Sequence, residues 1–303
     1  MENAMKHIHR TRGDRIFDAI NVAALCLLLA AVAAAIFFAA ADRSAPDDIP
    51  ADAQAQIAVH FVDVGEGDCA IVETPDGNIL IDAGTKQSEA AIRRCIDDLG
   101  ITAFAYAIFT HPHADHIGSA AALVEAYPID SIVMPNAVST SKTFEKLVAA
   151  IEEKDCRVIE GKAGKHLTLG ALTIDLLAPC KAYDDLNNMS VVVLLTYGNG
   201  TFLFTGDAET LSETDMLENG VPPCDVLKVG HHGSLTSSSE AFIEAVSPQI
   251  AVISVGDGNS YGHPHASTLD RLEAHDAQIY RTDLCGTITI TCDGTQFGIE
   301  TEK

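Results

Sequence analysis

The sequence predicts an α/β protein of four layers, two β-sheets packed face to face with helices on their outer sides, carried behind one membrane-spanning helix. Three observations predict it. Short β-patterned segments fall into two groups, each followed by helices. No linker-like composition interrupts residues 56–303, so both groups belong to one domain. From Ala19 to Ala41 the chain is apolar apart from Asn21, and at about 1.5 Å per residue it spans about 35 Å, enough for a bilayer core with some tilt.

Taken in order, residues 1–18 carry Lys6, Arg10, Arg12 and Arg15 against Glu2, Asp14 and Asp18. This basic flank puts residues 1–18 in the cytoplasm and everything after Asp42 outside, by the positive-inside rule. Ala39-Ala40-Ala41 also offers small residues to a signal peptidase, so the competing reading is a secreted protein cut there. The length of the apolar run favours an anchor over 19–41. Residues 42–55, with Asp42, Pro46, Asp47, Asp48 and Pro50, read as a linker.

The domain opens with strands at Gln56–Val64, Cys69–Glu73 and Ile79–Asp82, the last two joined by a Pro75-Asp76-Gly77-Asn78 turn. Gln87–Leu99 has helical periodicity and stops at Gly100. Phe104–Phe109 and Ile132–Met134 read as strands, Gly118–Ala126 and Lys142–Lys154 as helices. A β-rich block follows over Leu167–Leu177, Ser190–Tyr197 and Thr201–Thr205, with a Gly198-Asn199-Gly200 hairpin signal. Helices at Glu209–Glu218, Ser238–Val246 and Thr268–Ala274 then alternate with strands at Asp225–Val229, Ile250–Ser254 and Gln278–Arg281. Gly286–Cys292 and Gln296–Glu300 close the chain as strands.

With 303 residues, 47% of them apolar, the chain can bury a substantial core, and its formal net charge is −24. So acidic a surface repels polyanions and argues against tight non-specific grip on DNA. Cys26 lies in the apolar segment, and the other seven cysteines show neither CxxC nor zinc-finger spacing. They read as mostly buried and reduced, although an oxidising compartment permits bridges.

Thr110-His111-Pro112-His113-Ala114-Asp115-His116 ends an apolar strand. Three imidazoles and a carboxylate so close together are costly unless something binds them, and both are ligands suited to zinc, manganese or iron. Alternation sends His111 and His113 to one side, while Asp115 and His116 reach a second position, which points to two metals.

This HxHxDH run resembles the signature of the metallo-β-lactamase fold. Ile79-Leu80-Ile81-Asp82-Ala83-Gly84 resembles the family's bracing aspartate, Phe204-Thr205-Gly206-Asp207 its bridging aspartate, and Val229-Gly230-His231-His232-Gly233-Ser234 the loop giving its last histidine ligand. Phe61-Val62-Asp63-Val64-Gly65-Glu66-Gly67-Asp68, the Asp225–Ser234 run and Tyr261-Gly262-His263-Pro264-His265 are similar to the C-terminal hydrolase domain of ComEC/Rec2-type competence proteins. The match runs from about residue 56 to 292. Between the HxHxDH run and Asp207, where many members carry another histidine ligand, this chain has only His166.

The resemblance implies a binuclear site for two divalent ions, zinc or manganese. One position would take His111, His113 and Asp207, completed by water, substrate or Asn187. The other would take Asp115, His116, Asp207 and one of His231 and His232, with His232 in phase with Lys228 on an alternating count. Asp207 and Asp115 would orient the nucleophile, and Lys228, His231 and His265 are candidates for phosphate contact or leaving-group protonation. Ser234, Ser237, Ser238 and Ser239 are candidate phosphate donors or helix caps. The expected activity is an extracytoplasmic metal-dependent phosphodiesterase or nuclease. Its substrate is a phosphodiester, single-stranded DNA among the candidates, with membrane attachment through 19–41. The rivals are a small-diester hydrolase, a lactone or β-lactam hydrolase, and a non-catalytic metal-stabilised module of an uptake machine.

Overall fold

A computed structural model describes residues 56–303; the basic segment, the apolar segment 19–41 and the linker 42–55 lie outside the described residues. None of the described helices is long and apolar enough to cross a membrane.

Two sheets are present. One runs through β1 (Ile57–Phe61), β2 (Ala70–Thr74), β3 (Gly77–Ile81), β4 (Phe104–Ile108), β5 (Ile129–Met134) and β6 (Arg157–Glu160), and is extended beyond β1 by β14 (Ile288–Cys292) and β15 (Phe297–Thr301). The second contains, in spatial order, β13 (Gln278–Arg281), β12 (Ile250–Ile253), β11 (Val226–Lys228), β10 (Gly200–Phe204), β9 (Val192–Tyr197), β8 (Leu172–Ala178) and β7 (Lys165–Leu169).

Alternation along the strands creates two buried faces per sheet. Ile57, Val59 and Phe61 of the first sheet meet Ile174, Leu176, Leu195 and Phe202 of the second in a shared core. Phe61 and Phe204 stack across it at a centroid distance of 5.7 Å. The opposite face of the first sheet, including Ile71 and Leu80, packs against helices Glu89–Asp98, Ala120–Ala126 and Lys142–Glu153. Leu203, Leu227 and Ala251 on the outer face of the second pack against Thr210–Glu218, Glu240–Val246 and Ala266–Ala274. The result is the expected order of helices, sheet, sheet and helices.

Some elements differ from the sequence reading. β6 escapes it because this edge strand is mostly exposed and shows no apolar alternation. Leu167–Leu177 is two strands, β7 and β8, turned at Gly170 with φ +55°. The helix expected over Gly118–Ala126 is two short ones, Ala114–Ile117 and Ala120–Ala126, because the Gly118 N–H donates to the Gly84 carbonyl (2.7 Å) instead of continuing a helix. The helix expected from Ser238 begins at Glu240, and Thr282–Cys285 adds a helical turn before β14. The seven described cysteines are unbridged.

The arrangement fixes where chemistry can occur. β3, β4 and β5 are parallel to one another, as are β10, β11 and β12. Asp82 follows β3, the histidine run follows β4, Asp207 follows β10 and the histidine pair follows β11. All four motifs therefore leave the carboxyl ends of parallel strands, where open α/β sheets place ligands. Phe204→Ala should cost about 3–5 kcal/mol of unfolding free energy, read by chemical denaturation; a loss below about 1 kcal/mol would show that the ring contributes little to the shared core.

Candidate metal centre

The centre begins with Asp82, buried to 1% exposure at the end of β3. Its Oδ1 accepts the Thr110 N–H (2.7 Å), and its Oδ2 accepts the Thr110 hydroxyl (2.7 Å) and lies 2.8 Å from His116 Nδ1. The carboxylate is thus spent on the loop after β4 and braces it, as the resemblance implies. Backbone bonds complete the weld, with the Ala83 N–H donating to His116 O (2.7 Å) and Gly84 N–H to Asp68 O (2.8 Å). Gly67 is required here: its φ is +109°, and a Cβ would lie 2.2 Å from the Asp115 carbonyl oxygen.

Two donor groups form around Asp207, each with its atoms within 4.8 Å of one another: Asp115, His116, Asp207 and His232, and His111, His113 and Asp207. Asp207 divides its oxygens between them. Its Oδ1 is 3.2 Å from His116 Nε2 and 3.6 Å from His232 Nε2, while its Oδ2 is 3.6 Å from His111 Nε2. Asp115 Oδ2 lies 3.4 Å from His232 Nε2, and His113 Nδ1 lies 3.0 Å from His111 Nε2.

Buried Asp207 Oδ1, His116 Nε2 and His232 Nε2 have no hydrogen-bond partner despite these approaches. Unpartnered buried polar atoms are costly, and three converging on one point, all of metal-ligand type, fit a divalent cation. A further gathering of Asp68, Asp82 and His116 is already occupied by protein, because Lys228 pairs with Asp68 and Thr110 bonds to Asp82.

The charges reinforce one another. Burial alone would raise the Asp207 carboxyl, but His116, His232 and His111 outweigh it and hold it well below the usual range. For His116, Asp207, Asp82 and Asp115 overcome burial and push the imidazole well above its ordinary value. His232 is lifted against burial to about 10 by Asp207 and Asp68. His111 moves the other way, depressed by burial and by repulsion from His116. Burial and then His232 bring His263 down to about 4.

His231 and His232 occupy a tight turn over Gly230–Gly233, both in left-handed backbone with φ of 49° and 53°. That turn breaks the strand alternation used to favour His232, yet it is His232 that joins the donor group. His231 stands outside both groups, with its Nε2 3.6 Å from Asp207 Oδ2 and its Nδ1 3.3 Å from Glu209 Oε1. Lys228, expected from the sequence as a phosphate contact, is turned into the protein instead. It is 3% exposed, and its Nζ pairs with Asp68 Oδ2 (2.8 Å) and donates to Val229 O (2.9 Å), so the strand's alternation aims it into the protein.

Asn187 donates to Glu209 Oε1 (3.4 Å), and its buried Oδ1 is unpartnered. It is not gathered with His111 and His113 by any contact among the described residues. His265 precedes helix Ala266–Ala274, with Nδ1 buried and unpartnered and its ring 5.1 Å from that of His263. His166 is exposed on β7 and pairs with Asp175 (2.7 Å).

The serines secure the histidine turn. Ser237 Oγ donates to Ala208 O (2.8 Å), and Ser238 Oγ accepts the Gly230 N–H (3.3 Å). Ser239 occupies the cap position of helix Glu240–Val246 without a side-chain cap bond. Glu213, buried on helix Thr210–Glu218, accepts the N–H groups of Ser238 and Ser239 instead. Asp68, Ser190, Glu209 and Glu213 are the site residues to which sequence reasoning assigned no role. Asp68 left a signal, in the Gly65–Asp68 run. A cavity of about 390 Å³ opens beside the donors and is lined in part by Glu66, Asp115, His232, Asn259, Tyr261 and His263.

The family model described as Metallo-beta-lactamase superfamily matches residues 62–257. ComE operon protein 3 of Bacillus subtilis is 34% identical over 252 residues, 76% of this chain and 32% of its own length. Competence protein ComA of Neisseria gonorrhoeae is 30% identical over 84% of this chain and 33% of its own. Recombination protein 2 of Haemophilus influenzae is 28% identical over 77% and 28%, respectively. The chain spans about a third of the length of the curated relatives it matches. Among solved structures, the metallo-beta-lactamase fold protein YhfI from Bacillus subtilis superposes with a TM-score of 0.55 at 14% identity, over 78% of this chain and 100% of that one. CmlA, a diiron beta-hydroxylase from Streptomyces venezuelae, gives 0.53 at 14% identity, over 78% and 54%. Both similarities attest the fold alone.

Replacing Glu213 by Ala would leave the Ser238 and Ser239 N–H groups without their acceptor beneath the histidine turn. Unfolding free energy should fall by about 2 kcal/mol, together with a loss of bound cation measured by elemental analysis. Unchanged stability and metal content would refute the supporting role of this carboxylate.

Proposed function

The chain belongs to the metallo-beta-lactamase superfamily, and from that premise we propose that residues 56–303 form a binuclear metal-dependent phosphodiesterase acting outside the cytoplasmic membrane. The observation that carries the reading is the division of Asp207, one oxygen toward His116 and His232 and the other toward His111. A carboxylate so placed is suited to bridge two cations. Competence-type relatives over most of the described domain favour a phosphodiester over a lactone or β-lactam.

Two divalent ions, zinc or manganese, would supply neutralisation of phosphoryl charge and a water acidic enough to attack near neutral pH. The protein's own groups do the rest. Asp207 and Asp115 hold the donor set and orient the nucleophile. His231 would carry a proton to the leaving oxygen, a role supported by Glu209 Oε1 at 3.3 Å from its Nδ1 and by a partly exposed ring with Nε2 toward Asp207. His263, whose charged form is disfavoured by burial, offers hydrogen bonding to substrate in the cavity.

The cavity volume suits one nucleotide-sized unit rather than a duplex. The net charge of −24 favours small diesters over long polyanions, while the competence-type similarity favours single-stranded DNA. Steep loss of affinity with added salt marks the polyanion, and a weak dependence marks the small diester. On the anchor reading of 19–41, the domain is extracytoplasmic and protease added to intact cells digests it; protection would invert the topology.

The full chain, loaded with zinc or manganese, should hydrolyse a diester from a panel of bis(4-nitrophenyl) phosphate, single-stranded DNA and duplex DNA. Asp207→Ala should lose bound metal and activity together. Hydrolysis of a lactone or β-lactam in place of every diester would overturn the assignment, and inactivity on the whole panel would favour a non-catalytic module. His231→Ala should retain its metal and lose about 10²-fold in kcat on an alkoxide-leaving diester. Its loss on a nitrophenolate-leaving diester should be smaller, and equal losses on the two would remove His231 as the proton donor.

A further inference from the structure

The two donor groups are not equivalent, and we infer that they bind cations with unequal strength. The Asp115–His116–Asp207–His232 position is the tight one, its grip set by a buried Lys228–Asp68 brace behind His232, and the His111–His113–Asp207 position is loose. The inference rests on the reading that divalent cations occupy the centre. It concerns the order and strength of their binding rather than the reaction.

The donor sets differ first in number and charge. The tight position gathers four side chains, two of them carboxylates; the loose one gathers three, and its single carboxylate is the shared Asp207. They differ further in what stands behind each imidazole. His116 Nδ1 lies 2.8 Å from Asp82 Oδ2, and His232 Nδ1 lies 3.2 Å from Asp68 Oδ1 and 3.0 Å from Ser254 O. His116 Nδ1 is engaged by the Asp82 carboxylate, and His232 Nδ1 donates to Ser254 O with Asp68 Oδ1 beside it at 3.2 Å, so each ring is held with Nε2 toward the donor group and becomes a stronger ligand.

His111 has no such support. Its Nδ1 faces only the hydroxyls of Thr110 (3.2 Å) and Ser190 (3.3 Å), and Ser190 Oγ is also committed to accepting the Asp207 N–H (3.1 Å). His113 is partly exposed, and the described contact of its Nδ1 is with His111 itself. Carboxylate bracing is therefore confined to one position. His231 does have a carboxylate neighbour in Glu209, but it belongs to neither group.

Asp68 is a brace that is itself braced. It follows β1 on the first sheet, and its backbone N–H donates to Asp115 O (3.1 Å), so the residue that steadies His232 also positions a second ligand of the same group. Its other oxygen takes Lys228 Nζ from β11 of the second sheet. Lys228 thus holds Asp68 between the sheets and keeps Oδ1 aimed at His232. Lys228 and Asp68 are positioning residues for the tight position and have no counterpart behind His111 or His113 among the described residues.

The test is a competition titration of the metal-free full chain with zinc against a chromophoric chelator, read beside circular dichroism. The wild type should bind two zinc ions in two resolved steps at least about tenfold apart. Asp68→Asn should weaken the first step about 10- to 100-fold and leave the second, and Lys228→Met should act in the same direction. His113→Ala, at a partly exposed residue, should abolish the second step alone, which keeps the inference testable if the buried variants do not fold. A general loss of structure would move both steps, so selective weakening of one reports positioning. Two equal steps, or loss of the tight step in His113→Ala, would overturn the inequality while leaving a binuclear centre. Failure to bind zinc at all would instead remove the metal-dependent reading on which it rests.

Discussion

Asp82 occupies a position where both of its oxygens are used and neither reaches solvent. Through Thr110 and His116 it locks the end of β3 to the loop after β4, and every other feature of the centre is placed relative to that lock. The histidine run is held in one arrangement because Thr110 before it and His116 at its end both bond to the buried Asp82 carboxylate. Removing one partner of such a buried charged network leaves the others uncompensated, at a cost of about 3–5 kcal/mol. The second sheet then brings Asp207 and His232 to a frame that the first sheet has already set. In this sense the centre has a rigid half and a docked half, and the Lys228–Asp68 pair is the link that registers one against the other.

The same crowding explains why the donors remain unsatisfied by protein. Asp207 Oδ1 and the Nε2 atoms of His116 and His232 are buried at the strand ends without a hydrogen-bond partner. A fold selected for stability alone would place apolar groups or hydrogen-bond partners there. This one accumulates charge and leaves one direction open, toward the cavity lined by Asn259, Tyr261 and His263.

Much of this was legible in the sequence where the determinants are local. HxHxDH packs its donors into six residues, so pattern alone located them, while the aspartates at 82 and 207 were found through the family resemblance of the strand ends that carry them. The layer order followed from strand groups separated by helices. Edge strand β6 was not legible, since an exposed edge carries no burial pattern. The choice between His231 and His232 was not legible either, because a left-handed turn cancels the alternation that a strand would impose. Lys228 was misjudged for a related reason: its chemistry was evident, but its direction depends on Asp68, which lies 160 positions away in the sequence. Ser190, Glu209 and Glu213 act through partners 17 to 79 positions away. Residues 19–41 carry a sequence argument that the described domain neither uses nor answers.

Consecutive left-handed histidines have a consequence for how this chain can change over time. Asp82, His231, His232 and Ser238 are all in left-handed backbone, a conformation that costs a side-chain-bearing residue about 1–2 kcal/mol and that glycine adopts freely. Drift toward glycine at His231 or His232 would relax the backbone of the turn while erasing its chemistry. The loop is thus a place where stability and purpose pull in opposite directions, and a more heat-tolerant descendant would have to find its gains in the outer helices, leaving the strained turn as it is.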